Sequence, residues 1–522
     1  MSAGSGAVRM GFAALLVGAL VILCYDRVLA TYRYPYSGDS ASYIDMAESL
    51  LREGRLLVTP WDVDPGDVDA VPQPLFPPGY AVLIAALTPL AGGDVRRVAL
   101  YPGRLAAALL PCLVVLLFYG AAGRGALAGV AALTLLSPGV RDWHFLAYSD
   151  VPALAIAIVA LGALARGLGF LRPTPHALWW LFGAGLAAGV GYTVRNSGLA
   201  VLAVSVVALG FARVRALGPP RAALYWLAGA MPPLAALALY NLDVFGQLQP
   251  YDMPQSTRRW PANLGDYALA QLDDLGVPEA LLGSSAVLAL ALLALLAGAL
   301  ALGCWRLRRT PGRQGLLVLL GGYAAAGALL LVASRSRYEW GNFIDNRNVL
   351  QYSFAYALGA VVCAESLPSG RMRRIAAGLG VLAIASLLVT AARDLSAARG
   401  YQQETWLALS QDAAIMAVAR ALPKDALVAS NAALLFRLGV PRPVRELEVG
   451  GDDRSFLGSL AQLRRAAGQR RPTAFLLVCD QWTVGFSACG AGPADVAIAP
   501  SCTPIRVRAP RVLLCAVPGG ER

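Results

Sequence analysis

Apolar runs of about twenty residues recur along most of this chain, and that is the length an α-helix needs to cross the hydrocarbon of a bilayer. The first covers residues 10–30, behind Arg9. It is too long for the core of a secretory signal, and Asp26-Arg27 interrupts the region where cleavage would fall. Further runs lie near 99–122, 125–140, 150–170, 177–194, 196–213, 222–242, 281–304, 314–334, 346–364 and 375–392. Together they predict a polytopic α-helical membrane protein with about 11 transmembrane helices. Composition agrees: 57% of the 522 residues are hydrophobic and 15% are charged, against about half and a quarter in soluble domains. A soluble multidomain enzyme and a disordered chain are both excluded.

Between the first two runs lies a polar stretch, 31–98, with nine acids from Asp39 to Asp94. Its single apolar piece, 78–90, is about 13 residues long and bounded by prolines, which suits an interfacial helix better than a span. Charge supports that choice. With eleven spans, the loops 121–126, 165–176, 211–221, 305–313 and 365–374 share one side and hold thirteen arginines and one acid, Glu365. Residues 141–150, Arg195, 243–280 and 335–347 share the other side, with seven arginines and ten acids. The positive-inside rule places the first set, and the N-terminus, in the cytoplasm. The net charge of +12 therefore orients the chain in the cell membrane and does not advertise nucleic-acid binding.

An odd number of spans places the C-terminus outside the cytoplasm. Residues 1–392 form the membrane domain, and 393–522 are long enough for a small extracytoplasmic domain of their own. Its pattern reads as α/β: helices over 404–422 and 455–467, buried strands over 426–430 and 473–479. Cys24, Cys112, Cys304 and Cys363 read as small buried hydrophobes. Cys479, Cys489, Cys502 and Cys515 gather in the tail, where an oxidising compartment permits two disulfides of undetermined connectivity.

The acids and arginines of the outer side are where chemistry can reside. Asp39 opens a predicted amphipathic helix in which Tyr43, Ala47, Leu50 and Leu51 form an apolar stripe. Asp150 opens another helix, two residues before Pro152. Helix capping explains either aspartate. A carboxylate fixed at a membrane interface can also accept a proton. Arg195 and Arg347 interrupt apolar sequence at the same face; such guanidiniums either snorkel or bind phosphate. His144 shares a loop with Asp150. There is no phosphate-binding glycine loop, dinucleotide fingerprint, zinc spacing or nucleophile elbow, so ATP-driven and hydride-transfer chemistry find no support.

The order of short motifs resembles a known family. Gly38-Asp39-Ser40 with Tyr43 follows the first span, then Pro77-Pro78-Gly79-Tyr80, Arg104-Leu105, Ser149-Asp150-Val151-Pro152, Tyr240-Asn241 with Phe245-Gly246, and Arg347. Over about residues 10–365 this is similar to the membrane glycosyltransferases of the GT-C fold, the group of protein mannosyltransferases and bacterial aminoarabinose transferases. The resemblance implies transfer of a sugar from a polyprenyl-phosphate donor to a lipid, polysaccharide or protein acceptor on the outer face, usually with inversion. It makes Asp39 the general base and Asp150 a second acidic position, used to place the acceptor or, in some members, a metal. It gives Arg195 and Arg347 the donor phosphate, with Arg104 and Arg337 as secondary positions, and Tyr43 and His144 as substrate-positioning residues. No cofactor is required by these motifs, and a divalent metal at Asp39 and Asp150 has no clustered-carboxylate motif behind it. The competing readings are a transporter or flippase for a lipid-linked envelope precursor and a non-catalytic envelope assembly protein. Against the first, no internal repeat is evident and the charges gather at a boundary instead of mid-membrane.

Overall fold

The computed structural model describes residues 3–32, 38–58, 71–171, 174–250, 253, 255–283, 285–338, 344–367, 370–401, 412–422, 427–430, 444–446, 473–479, 502–506 and 511–517. Their helices are α1 (Ala3–Tyr32), α2 (Gly38–Glu53), α3 (Gly79–Leu87), α4 (Val95–Ala99), α5 (Tyr101–Leu117), α6 (Arg124–Leu136), α7 (Pro138–Trp143), α8 (Asp150–Gly167) and α9 (Ala177–Val194). Then follow α10 (Gly198–Val214), α11 (Ala222–Phe245), α12 (Trp260–Asp274), α13 (Glu279–Leu282), α14 (Ala286–Arg306), α15 (Pro311–Arg337), α16 (Asn346–Glu365), α17 (Gly370–Tyr401) and α18 (Ala413–Ala421). The chain divides into two compact units. The first holds 1–27, 74–86 and 100–394; the second holds 28–73, 87–99 and 395–522.

In the first unit, eight of the eleven expected spans fall on helices long and apolar enough to cross a membrane. Residues 196–213 fall on α10, a shorter apolar helix. The expected span 125–140 is broken: α6 ends at Leu136, and Ser137-Pro138 starts α7 in a new direction, because proline suits a first helical turn and not a helix interior. The piece 78–90 falls on a short apolar helix, Gly79–Ala91. Phe12, Leu16 and Leu20 of α1, Leu288 and Leu295 of α14, and Leu379 and Leu382 of α17 are exposed, so these helices turn apolar faces outward. Faces of that size require lipid. This is a multi-pass membrane protein.

Two packing devices organise the unit. Helices α9 and α11 touch backbone to backbone through glycine: a Cβ on Gly185 would lie 1.9 Å from the Trp226 carbonyl oxygen, and one on Gly229 2.0 Å from that of Phe182. Small residues permit this approach where no hydrophobic drive separates helix from lipid. Helix α16 is the interior helix, packed on α6, α7, α8, α12, α14 and α15. Its residues from Val349 to Gly359 are buried, and it carries polar groups that find partners within the bundle. The Ser197 hydroxyl donates to Gln351 at 2.8 Å, Gln271 donates to Ser353 at 2.7 Å, and the Tyr267 and Tyr356 hydroxyls meet at 3.4 Å. Each pair removes the penalty of an unsatisfied buried polar atom. Protein surrounds α16, so it needs less apolarity than a lipid-facing span.

In the second unit, α2 buries Tyr43, Ile44, Met46 and Ala47. Leu51, expected on the same stripe, is 47% exposed, since eight residues carry it about 80° around the helix. Glu48 of α2 pairs with Arg96 of α4 at 3.6 Å, and burial raises its pKa. A two-stranded ribbon, β1 (Leu57–Val58) with β2 (Val71–Pro72), follows α2.

The tail contains a mixed sheet of β3 (Leu427–Ser430), β4 (Val444–Glu446), β5 (Thr473–Cys479), β6 (Cys502–Arg506) and β7 (Arg511–Val517), in the order β4-β3-β5-β7-β6. Strand β3 runs parallel to β4 and β5, and β7 runs antiparallel to β5 and β6. The two expected strands are present, and the helix begins at Ala413 behind the Asp412 cap, which accepts the Ala414 N–H at 3.0 Å. Residues 402–411, the expected helix 455–467 and Cys489 lie outside the described residues. The backbone register sets Cys502 opposite Cys515 on neighbouring antiparallel strands.

Candidate active site

The segment from Ser137 to Asp150 leaves α6, makes the short α7, and returns to start α8. Asp150 is the first residue of α8, and its side chain does not serve as the cap expected from its position. The preceding Ser149 takes the cap position in a helical conformation with no side-chain cap bond, and the Asp150 carboxylate is 0% exposed. Its oxygens meet two guanidiniums from distant sequence: Oδ1 lies 2.7 Å from Arg195 Nη2, and Oδ2 accepts from Arg347 Nε at 3.1 Å.

Each arginine is placed by a helix end. Arg195 closes α9 in extended backbone, its N–H donating to the Gly191 carbonyl at 2.9 Å, and its Nη1 donates to the Ser149 hydroxyl at 3.3 Å. Arg347 is the second residue of α16, behind Asp345, which caps that helix by accepting the Asn348 N–H. Burial raises the Asp345 pKa, opposed by the charge of Arg347. The Arg347 guanidinium stands 4.1 Å from the Tyr148 ring centre and 5.3 Å from that of Trp143. Those two rings stack at 5.5 Å and 12°. Planar guanidinium stacks on aromatic faces, so the loop fixes Arg347 by its rings as well as by Asp150.

The result is a carboxylate between two guanidiniums, a cluster with net charge +1 at the start of two helices. The N-termini of α8 and α16 add partial positive charge of their own. Such a cluster can hold an anion. It is poorly suited to a dication, because both Asp150 oxygens already face guanidinium nitrogens. Among the described residues, no three His, Cys, Asp or Glu side chains group as a metal site.

Asp150, Arg195 and Arg347 are thus brought together across as many as 197 residues of sequence. The other candidates are placed elsewhere. Arg104 of α5 pairs with Asp26 of α1 at 2.9 Å. His144 is fully buried, with Nδ1 2.8 Å from the Arg141 carbonyl and its ring edge-on to Tyr25, and burial holds its pKa down. Its neighbour Arg141 is buried as well and pairs with Asp142 and with Asp394 near the end of α17. Arg337 ends α15 exposed, over the Tyr338 ring. Asp39 lies in the first turn of α2 and Tyr43 one turn later, the latter 1% exposed.

No family model and no curated protein sequence matches the chain. Solved structures do. ArnT from Cupriavidus metallidurans in the apo state aligns over 99% of this chain and 98% of its own, with a TM-score of 0.53 at 15% identity. The same protein bound to undecaprenyl phosphate aligns over 97% of each chain, also at 0.53 and 15%. The apo oligosaccharyltransferase of Archaeoglobus fulgidus covers 90% of this chain and 69% of its own, at 0.52 and 12%. Near-complete coverage of both chains by ArnT decides the architecture. The chain has the GT-C fold. The alignment takes in the polytopic helical unit, where the resemblance lay, and extends beyond it to the C-terminal tail.

Sequence reasoning missed other parts of this cluster and its surroundings. Trp143 and Tyr148 carry no role in the sequence reading, and their stacking is visible only in the folded loop. Helix α12 was counted as part of an outer loop, although Trp260-Pro261 is a helix start and Tyr267 to Leu272 has helix-forming composition. Its last residue, Asp274, is 1% exposed, the most deeply placed acid near the site after Asp150 among the described residues.

Proposed function

We propose that this protein transfers a sugar from a polyprenyl-phosphate donor to an acceptor at the outer face of the cell membrane. The observation that carries this reading is the buried Asp150 held between Arg195 and Arg347. A polyprenyl-phosphate sugar leaves its phosphate behind on the carrier, and negative charge grows on that phosphate as the bond to sugar breaks. Two guanidiniums already held in position stabilise that charge without reorganising. Undecaprenyl phosphate in one of the structurally similar proteins supports the choice of carrier.

In this mechanism Asp39 takes the proton of an acceptor hydroxyl. The acceptor oxygen attacks the anomeric carbon from the side opposite the phosphate, and the carbon–oxygen bond to phosphate breaks with its electron pair leaving on the phosphate. The anomeric configuration inverts. Arg195 and Arg347 hold the phosphate, and Asp150 holds the arginines. The N-terminus lies in the cytoplasm and the tail outside, in keeping with the arginine-rich and acid-rich loop sets. Net positive charge around Asp150 disfavours a divalent ion at that carboxylate.

The test is sugar transfer in proteoliposomes, with a panel of undecaprenyl-phosphate-linked hexoses and pentoses and envelope extract as acceptor. At least one donor is expected to lose its sugar to an acceptor, with the same rate in EDTA. Arg347→Gln and Arg195→Gln are each expected to reduce that rate at least 100-fold, in line with loss of a charged transition-state contact. Donors that cross the bilayer with their sugar intact would instead establish the transporter.

A further inference from the structure

We propose that Asp274 is a positioning residue for this site: its carboxylate ties the first turn of α7 to α16 and so fixes the loop that presents Tyr148, Ser149 and Asp150 to the two arginines. The proposal rests on the phosphate-binding reading of Arg195 and Arg347.

Asp274 is the last residue of α12 and only 1% exposed. Its Oδ1 accepts the Gly139 N–H at 2.7 Å, at the second residue of α7, and its Oδ2 accepts the Ser353 hydroxyl of α16 at 2.5 Å. Ser137, the residue that caps α7, also bonds to it. Contact at this junction is tight. A Cβ on Gly139 would lie 2.4 Å from Leu350 Cβ and 2.9 Å from Asp274 Oδ1, so α7 sits directly on α16 within a turn of Arg347. The adjacent Asp273 accepts from Asn346 at 2.7 Å, one residue before Arg347. Two consecutive acids thus hold the start of α7 and the start of α16.

Local helix electrostatics do not explain those acids. The last turn of a helix carries negative partial charge and favours Lys or Arg. A buried carboxylate there is doubly unfavourable unless it accepts hydrogen bonds, and the bonds it accepts all lead to the two elements that carry the site. Beyond α7, residues 144–149 form no regular secondary structure before α8 begins. The position of Asp150 between its arginines therefore depends on where α7 is anchored.

Burial pushes the Asp274 pKa up to about 7. The ionised carboxylate can accept from Gly139 and Ser353 together; the protonated acid must donate through one oxygen and holds the junction less well. The groups facing it from α7 and α16 are neutral: the Ser137 hydroxyl, the Gly139 N–H and the Ser353 hydroxyl. The charge that acts on it is that of Asp273. Of the nearby ions, Arg141 turns to Asp142 and Asp394, Arg347 to Asp150, and Asp345 caps α16.

The experiment is equilibrium binding of undecaprenyl phosphate to the purified full-length protein from pH 5.5 to 8.5, for wild type, Asp274→Asn and Asp274→Ala. Wild type is expected to lose about tenfold more affinity between pH 8 and pH 6 than Asp274→Asn does, the ligand's own titration being common to both. Asp274→Asn presents one acceptor and one donor, as the protonated acid does, and should bind about tenfold more weakly than wild type at pH 8. Asp274→Ala should bind at least tenfold more weakly throughout. Wild-type binding by Asp274→Ala, or an unchanged pH limb in Asp274→Asn, overturns the proposal. Arg195→Gln and Arg347→Gln serve as calibrators: if neither weakens binding, the phosphate site itself is misassigned. Amide exchange then tests Asp274 without ligand. Residues 139–149 should lose protection in Asp274→Ala and, after correction for intrinsic rate, in wild type at pH 6. Unchanged protection refutes the anchoring role.

Discussion

Asp150→Asn is expected to lower sugar transfer at least 100-fold while leaving undecaprenyl phosphate bound as tightly as in wild type, or more tightly. The two halves of this result come from opposite effects. Replacing the carboxylate by an amide raises the local charge from +1 to +2, which favours a phosphate. The same change removes both ion pairs that hold the guanidiniums in place, at 2.7 and 3.1 Å from Asp150. Breaking a buried pair commonly costs about 3–5 kcal/mol, and the loss is borne here by the geometry of Arg195 and Arg347. Tyr148 and Trp143 still stack on Arg347 and Ser149 still meets Arg195, which is enough for binding; stabilising the leaving phosphate in the transition state needs the closer control of the carboxylate. Asp150→Ala adds a cavity at the start of α8 and should lower thermal stability further, so the isosteric amide is the informative variant. Measured side by side, binding and turnover separate the possibilities. Loss of binding together with turnover would mean that Asp150 itself touches the substrate. Full turnover would mean that the arginines need no fixing.

How far this site was legible depends on distance along the chain. Asp150, Arg195 and Arg347 each stood out as a charge interrupting apolar sequence, but capping and snorkelling explained each one alone. Only tertiary packing shows that the carboxylate is not a cap, because Ser149 occupies that position without a side-chain cap bond and Asp150 turns inward. Arg104, a secondary phosphate position by resemblance, and His144, which shares a loop with Asp150, lie instead with α1, against Asp26 and Tyr25. A local pattern cannot tell these cases apart, since a charge near a membrane surface looks the same whether its partner is a substrate or a neighbouring helix.

The fold was more legible than the site because apolar runs act over single helices. They fail where one helix meets two environments. Residues 125–140 are continuously apolar, yet Ser137-Pro138 divides them into α6 and α7, and the resulting turn creates the loop that carries Trp143 and Tyr148. Helix α12 failed in the other direction. Its acids, counted as loop charge, belong to a helix whose inner face is buried through Tyr267, Gln271 and Asp274. The polar residues of α16 pair with α10 and α12. Partnered polarity of this kind is invisible to hydropathy, and it is what surrounds the anchored end of α7.

Asp39→Asn is expected to reduce kcat by 10²- to 10⁴-fold, the range general-base catalysis commonly supplies. KM for the acceptor and binding of the polyprenyl phosphate should change less than threefold. An amide fills the same space but cannot take a proton, so a residue that acts only as base loses rate and keeps affinity. The fold should survive: a first-turn acid contributes about 0.3–1 kcal/mol through the helix dipole, and the rest of α2 is held by Tyr43, Ile44, Met46 and Ala47. Asp39→Glu keeps the carboxylate one methylene further out and should recover part of the lost rate. The division between kcat and KM decides the role. A raised acceptor KM with kcat preserved would make Asp39 a binding group, and the base would have to be sought among the other acids of the 31–98 segment. Equal loss in Asp39→Asn and Asp39→Glu would show that placement of the oxygens, not merely their charge, limits proton transfer. Wild-type rates in both would remove Asp39 from the chemistry and leave the arginine-bound carboxylate of Asp150 as the acid held at the phosphate site.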